Sequence, residues 1–295
     1  MTQVSAAAVL DAASFRSPVL DFAPADCLVI AHRGSWVRAP ENSLLAIREA
    51  GALGVGMVEI DARQTADGAI LVIHDDTLDR TTQSRGAVAE QDSATIRALR
   101  LRESGGGDDA PLTDERVPTL LEALEEARGH GLLVNVDTKS AAELPAVTRE
   151  ILRGGFAGDV VVKAELTPAD LARLPADHTA FGPLPFMPVL KSQKGRFAED
   201  LAHFAHLNPF MIEAMPACVE DLEAGMEAAR ALGVRLWLNT LDVSHMTDFN
   251  DTAARQDADA IWGRLLDLGV GAIQTDESER LVAYLAARGL RSARL

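Results

Sequence analysis

His32-Arg33-Gly34, Glu59-Ile60-Asp61 and His74-Asp75 are the stretches of this chain whose residue types and spacing point to chemistry. Each closes a short apolar run: Val29-Ile30-Ala31 before the first histidine, Met57-Val58 before the acidic pair, and Ile70-Leu71-Val72-Ile73 before the second histidine. Titratable groups that follow strand-like runs sit where a strand meets its loop, the usual place for chemistry in α/β folds. Two imidazoles supply an acid and a base, two carboxylates hold a hard cation, and an arginine clamps an anion. A phosphodiester resists hydrolysis because its charge repels nucleophiles and its alkoxide leaves poorly. Its cleavage needs a cation on the nonbridging oxygens, a base for the nucleophile and an acid for the leaving oxygen. The set therefore points to metal-assisted cleavage of a phosphodiester.

Spacing adds detail. Glu59 and Asp61 are two apart on a strand, so both side chains leave the same face. A third oxygen ligand is expected in Val134-Asn135-Val136-Asp137-Thr138-Lys139, where Asp137 and Lys139 again share a face and pair a metal ligand with a phosphate-binding cation. Oxygen-only ligands favour Mg²⁺ or Ca²⁺ over zinc, with Mn²⁺ a further candidate. Arg33 is the matching anion clamp after the first strand. Lys163, Glu165, Lys191 and Glu213 fall at later strand ends, where a place in the pocket and a salt-bridged rim are equal readings. Trp237 is read as an apolar wall for the substrate, with a core position the alternative. His203 and His206 read as a solvated helix face, and His130, His178 and His245 carry no motif.

These residues must be positioned by a regular scaffold. Strands are expected at Leu28–Ala31, Met57–Asp61, Leu132–Asp137, Val160–Lys163, Met187–Leu190, Phe210–Glu213, Arg235–Asn239 and Ala272–Thr275. Their apolar runs lack polar alternation, as in a parallel sheet covered on both faces. Helices are expected between them. One starts at Glu41-Asn42-Ser43 and stops at Gly51, one starts at Thr119 and another at Thr167-Pro168-Ala169-Asp170. Later helices run near 219–232 with Gly233 as stop, 257–268 and 277–288. The alternation predicts a (β/α)8 TIM barrel. A doubly wound sheet is disfavoured because no Gly-x-Gly-x-x-Gly follows the first strand. The run Ala69–Ile73 lies too close to the second strand for a parallel crossover, and Asp67-Gly68 predicts a hairpin that sets His74 opposite Asp61. Residues 80–118, with a short helix around Ser93–Leu101 and a Gly105–Asp109 loop, read as a small insertion over the barrel mouth within a single domain.

Bulk properties bound the partners. The 295 residues suffice for one large barrel, and 47% hydrophobic with 24% charged residues is ordinary for a globular protein. A formal net charge of −16 argues against nucleic acid and anionic membrane surfaces as partners. Cys27 and Cys218 read as reduced, apolar-flanked thiols. Residues 1–26 lack the marks of a secretory signal, and no apolar run nears the ~20 residues that span a bilayer, so the cytoplasm is the expected compartment. The expected partner is a small-molecule phosphodiester, and the oligomeric state stays open.

The ordered motifs Ala31-His32-Arg33-Gly34, Pro40-Glu41-Asn42-Ser43, Glu59-Ile60-Asp61, Asp67-Gly68, Val72–Thr82 and Arg116-Val117-Pro118-Thr119-Leu120 resemble the glycerophosphodiester phosphodiesterase family. The resemblance is dense from about 28 to 140 and thins beyond, with Trp237 and Gln274-Thr275-Asp276 where similar family elements occur. It implies a TIM barrel with an insertion after the His-Asp motif. By this resemblance His32 and His74 are the acid/base pair, Glu59 and Asp61 metal ligands, and Arg33 and Lys139 phosphate ligands. One departure stands out: Asp137 occupies the position where the family usually has a glutamate, and this Asp-x-Lys form is similar to that of sphingomyelinase D-like enzymes. The implied reaction splits a glycerophosphodiester into glycerol 3-phosphate and an alcohol, through a cyclic phosphate or by direct attack of water. A lysophospholipid or sugar phosphodiester as substrate, or a noncatalytic barrel that binds phosphodiesters, are the competing readings.

Overall fold

A computed structural model describes residues 26–139, 142–164, 184–207 and 209–292. Among these residues twelve strands follow in chain order. They are β1 (Leu28–His32), β2 (Met57–Gln64), β3 (Ile70–Val72), β4 (Arg100–Arg102), β5 (Leu112–Arg116) and β6 (Leu133–Thr138), then β7 (Val160–Ala164), β8 (Phe186–Lys191), β9 (Met211–Met215), β10 (Arg235–Leu241), β11 (Ser244–His245) and β12 (Ala272–Thr275). Strands β1, β2, β6, β7, β8, β9, β10 and β12 pair in parallel in that order, and β12 returns to β1. The sheet closes into the expected barrel, each strand where the apolar runs place it.

The barrel interior changes character at one level. Its lower layer holds Leu28, Ile30, Met57, Leu133, Val161, Met187, Met211, Trp237 and Ala272. Strand side chains alternate, so the residue two positions on points the same way. That step replaces Ile30 by His32, Met57 by Glu59, Leu133 by Asn135, Val161 by Lys163, Met211 by Glu213, Trp237 by Asn239 and Ala272 by Gln274. All seven of these polar residues are buried. An apolar plug thus supports a polar layer at the carboxyl ends of the strands, where barrel sites form. The opposite strand faces, including Val29, Ala31, Val58, Ile60, Val134 and Val136, pack against the helices.

The helices obey their local signals with two shifts. Ser43 caps the helix Leu44–Leu53 by accepting from Ala46 N, and Thr119 with Glu122 forms a capping box at Leu120–Gly129. The first helix ends at Gly54 (φ +82°) rather than at Gly51. Gly51 instead lies inside the helix against His130, where a Cβ would come within 2.7 Å of the His130 Cβ. Gly233 ends Val219–Leu232 as expected. The segment read as one helix over 257–268 is broken: Asn250 caps Asp251–Gln256, and a wide turn at Asp259–Gly263 leads into Arg264–Leu268. The helix start at Thr167-Pro168-Ala169-Asp170, Glu165 and His178 lie outside the described residues.

The β2–β3 hairpin corrects a register. Ala66, Asp67 and Gly68 (φ +83°) form a three-residue turn closed by Thr65 N–H donating to Ala69 O. Ala62 therefore pairs with Val72, and Ile73 N–H donates to Asp61 O, so Asp61 faces Ile73 rather than His74. Counting two turn residues instead of three moves the pairing by one position. His74 lies beyond the strand end, its carbonyl held by Arg63 Nε at 2.8 Å.

Residues 76–118 carry a short helix at Ser93–Arg97 and the antiparallel pair β4–β5. Leu78, Val88, Ile96, Leu101 and Val117 join Leu71 and Ile73 in a small separate core. Both cysteines are free, and burial pushes the Cys27 thiol up to about 12. No helix among the described residues is long and apolar enough to cross a membrane.

Candidate active site

The turn after β1 shows why His-Arg-Gly is needed. Arg33 adopts φ +56° and Asn42 φ +58°, the left-handed region that costs a non-glycine residue roughly 1–3 kcal/mol. Gly34 follows at φ +83°, and a Cβ there would lie 2.7 Å from the Ala46 carbonyl carbon. This backbone turns Arg33 N–H toward Glu59 Oε2 at 3.3 Å, and Asn42 N–H donates to Arg33 O at 2.9 Å. Asn42 then clamps Asp61 twice: its Nδ2 donates to Asp61 Oδ2 at 2.8 Å, and Asp61 N–H donates to its Oδ1 at 3.2 Å.

Glu59, Asp61 and Asp137 converge with one oxygen from each within 4.8 Å of the others. Asp61 and Asp137 are direct register partners on β2 and β6. Lys139 Nζ lies between them, 2.7 Å from Asp137 Oδ2 and in contact with Asp61 Oδ1. Arg33 Nε approaches Asp61 Oδ2 at 3.4 Å. Burial, and then the Asp61 charge, push the Glu59 carboxyl above the usual carboxylate range. Burial would also raise Asp61, but Lys139 and Arg33 outweigh it and hold Asp61 well below that range. Burial would lower the Lys139 ammonium, yet Asp61 and Asp137 lift it to about 12.

His32 is the register partner of Glu59 across β1 and β2, and His74 is near enough to Asp61 for its charge to help hold that carboxyl down. His32 Nδ1 is 2.7 Å from Asp276 Oδ1, and His74 Nδ1 is 2.8 Å from Asp75 Oδ1. A carboxylate can only accept, so Nδ1 carries the proton in both rings and Nε2 is left for proton transfer. Burial pushes His74 below the usual imidazole range, with Arg33 and Lys139 acting in the same direction against Asp61.

The structure thus brings His32, His74, Arg33, Glu59, Asp61, Asp137 and Lys139 to one mouth. Trp237 is placed differently. It is fully buried, and its indole N–H donates to Asn239 Oδ1 at 2.8 Å and Gln274 Oε1 at 3.1 Å. With no exposed surface it supports the floor instead of walling a substrate. Lys163 and Glu213 form a buried pair at 2.8 Å, with Lys163 Nζ 3.9 Å from Glu59 Oε1 and Asn239 Nδ2 donating to Glu213 at 2.8 Å. Lys191 is exposed at the end of β8.

Four residues of the site had no assigned role in the sequence. Asn42 and Glu41 sit in Pro-Glu-Asn-Ser, and Arg80 follows His-Asp, so their motifs were visible but their partners were not. Asp276 follows Thr275 at the end of β12, and only barrel closure brings it to His32, 244 positions away.

The chain is similar to known proteins in sequence and in fold. The model of the glycerophosphoryl diester phosphodiesterase family matches residues 32–174, and a model described as a domain of unknown function matches 186–285. A glycerophosphodiester phosphodiesterase of Caldanaerobacter subterraneus subsp. tengcongensis is 28% identical over 269 residues, 89% of this chain and 99% of that protein. The Homo sapiens glycerophosphodiester phosphodiesterase 1 is 36% identical over 160 residues, but the match covers 48% of this chain and only 46% of the human protein. An Oleispira antarctica phosphodiesterase, solved with its product sn-glycerol-3-phosphate, superimposes with a TM-score of 0.65 at 23% identity, covering 88% of this chain and 97% of that one.

Proposed function

The chain belongs to the glycerophosphodiester phosphodiesterase family, and from that premise we propose that it hydrolyses glycerophosphodiesters to glycerol 3-phosphate and an alcohol with the help of a divalent cation. One observation carries the reading: two histidines, each with Nδ1 hydrogen-bonded to a carboxylate, accompany three converging carboxylates at the mouth of the barrel, His32 in register with Glu59 and His74 within charge range of Asp61.

The donor set fits a hard cation. Glu59, Asp61 and Asp137 offer carboxylate oxygens alone, and the Lys139 ammonium already rests between two of them. The shorter Asp137 still reaches the cluster. Mg²⁺, Ca²⁺ or Mn²⁺ held there supplies positive charge for a nonbridging phosphate oxygen. Arg33 and Lys139 border the same cluster and bind the remaining phosphate oxygens, Arg33 as a two-pronged fork and Lys139 as a point charge. One histidine enters neutral and takes the proton of the attacking oxygen at its Nε2, and the other enters as the imidazolium and gives its Nε2 proton to the departing alkoxide. When the attacking oxygen is the neighbouring glycerol hydroxyl, a cyclic phosphate forms and the alcohol leaves. Water then opens the ring with the two histidines in exchanged roles.

The test is turnover of a panel of glycerophosphodiesters, with a lysophospholipid and a sugar phosphodiester as alternative substrates, with and without chelator. Chelation should abolish activity, and Mg²⁺, Ca²⁺ or Mn²⁺ should restore it. Full activity in excess chelator after exhaustive dialysis would overturn the metal requirement. Turnover confined to a lysophospholipid or sugar diester would move the substrate class.

A further inference from the structure

One guanidinium on the insertion ties two parts of the site together. Arg80 Nε and Nη2 donate to Asp75 Oδ2 and Oδ1, each at 2.8 Å. Its Nη1 and Nη2 donate to Glu41 Oε2 and Oε1 at 2.8 and 2.7 Å, and Nη1 also donates to the Gly105 carbonyl. These bonds use all five N–H groups of the side chain. Glu41, 3% exposed, also accepts from Arg33 Nη1 at 3.1 Å on both oxygens. Asp75 in turn holds His74. The result is an unbroken ladder from Arg33 through Glu41, Arg80 and Asp75 to His74. The insertion fixes its centre: Gly107 N–H donates to Arg80 O at 2.8 Å, and Gly106 lies so close that a Cβ would come within 2.4 Å of the same oxygen.

We infer that Arg80 is a positioning residue that sets His74 through Asp75 and Arg33 through Glu41 as one unit, so that the insertion assembles the proton-transfer and phosphate-holding arms together. What those arms do rests on the reaction proposed above; the ladder does not. Only a planar fork can bridge two carboxylates with four aimed bonds, so lysine at this position keeps the charge and loses the geometry. Misplacing a reacting group by about 1 Å costs on the order of 10²-fold in rate.

The experiment uses the full chain and Arg80→Lys, Arg80→Ala, His74→Ala and the Arg80→Lys/His74→Ala double variant. Steady-state kinetics with one glycerophosphodiester at saturating metal are combined with proton NMR of the low-field His74 Nδ1–H, assigned by its loss in His74→Ala. Arg80→Lys should lower kcat by about 10²-fold and raise KM several-fold, because both arms are released. In the double variant kcat should fall little below that of His74→Ala, since the two residues act in one unit. Millimolar guanidinium should partly restore Arg80→Ala. The His74 signal should shift or vanish in Arg80→Lys while that of His32 stays. Near wild-type kcat in Arg80→Lys, independent losses in the double variant, or an unchanged His74 signal would each overturn the inference. If Arg80→Ala does not fold, Arg80→Lys decides by itself. A wild-type chain that turns over no glycerophosphodiester would overturn the reaction alone, and the His74 signal would still judge the ladder.

Discussion

Two histidines of the same chemistry are held by two differently built arms. The His32 arm belongs to the barrel: Asp276 follows β12, and its backbone N–H donates to Asp251 Oδ2 at 2.8 Å. Asp251 Oδ1 accepts from the Thr240 and Thr275 hydroxyls at 2.6 and 2.7 Å. These two hydroxyls and the backbone N–H are neutral donors, and burial pushes the Asp251 carboxyl up to about 7. The His74 arm is braced from the insertion: its carboxylate rests on the Arg80 guanidinium, whose hydrogen bonds hold Asp75 down at about 2. The His32 side chain is 9% exposed and the His74 side chain 34%. One arm is thus fixed by the scaffold that closes the barrel. The other is fixed by charge pairing at the rim, where an insertion can be rebuilt without disturbing the sheet.

The largest expected effect tests whether the arms are equal in chemistry despite this difference. His32→Ala and His74→Ala should each lower kcat by roughly 10²–10⁴-fold, the usual span for a lost general acid or base. The melting temperature should change little for His74→Ala, which removes a partly exposed ring. Near wild-type turnover in both variants would end the two-histidine mechanism, and a loss in only one would make the arms unequal.

A smaller effect separates what each carboxylate supports. Asp276→Asn and Asp75→Asn both replace a charged, accept-only carboxylate with a neutral amide whose NH2 can face Nδ1 and select the other tautomer, so each should cost kcat roughly 10²-fold. Only Asp75→Asn also leaves Arg80 with a single carboxylate partner, and Arg80 shares Glu41 with Arg33. KM should therefore rise in Asp75→Asn and stay near wild type in Asp276→Asn. Equal KM values in steady-state assays would show that the rim ladder does not reach the phosphate clamp.

The same contrast explains what was legible in the sequence. Eight strands were visible because each is a compact apolar run, and the apolar-to-polar step at Met57/Glu59 or Leu133/Asn135 is a local pattern of period two. His32, Glu59, Asp61, His74, Asp137 and Lys139 were legible for the same reason, each closing or following such a run. The hairpin register was misjudged by one residue because Asp67-Gly68 marks a turn without stating its length. Gly51 looked like a helix stop, but its neighbour His130 is distant in sequence, and packing decided its place. The supports of both arms are contacts between elements. Asp276 meets His32 only through barrel closure, and Glu41 meets Arg80 across 39 residues. No period or spacing announces such pairs. Trp237 was ambiguous by nature, since a large apolar ring suits a wall and a core equally well until burial chooses.

The smallest effect concerns stability, and there the two arms should respond to pH with opposite sign. Asp75 titrates lower in the folded chain, at about 2 against an ordinary 3.8, so its contribution is complete above about pH 4 and fades as the pH falls toward 2. Asp251 titrates higher when folded, at about 7 against 3.8, so the folded chain keeps a proton that the unfolded chain has released, and stability declines as the pH rises from about 4 to 7. Asparagine titrates in neither state. In urea unfolding of the metal-free protein, Asp75→Asn should be less stable than wild type near pH 5, by on the order of 1 kcal/mol after solvent screening. That gap should close as the pH is lowered toward 3. Asp251→Asn should instead gain on wild type steadily between about pH 4 and 7, because it lacks the buried charge that wild type must develop. Curves that run parallel to wild type for both variants would show that the rim and barrel carboxylates share one environment, and the distinction between the arms would fall.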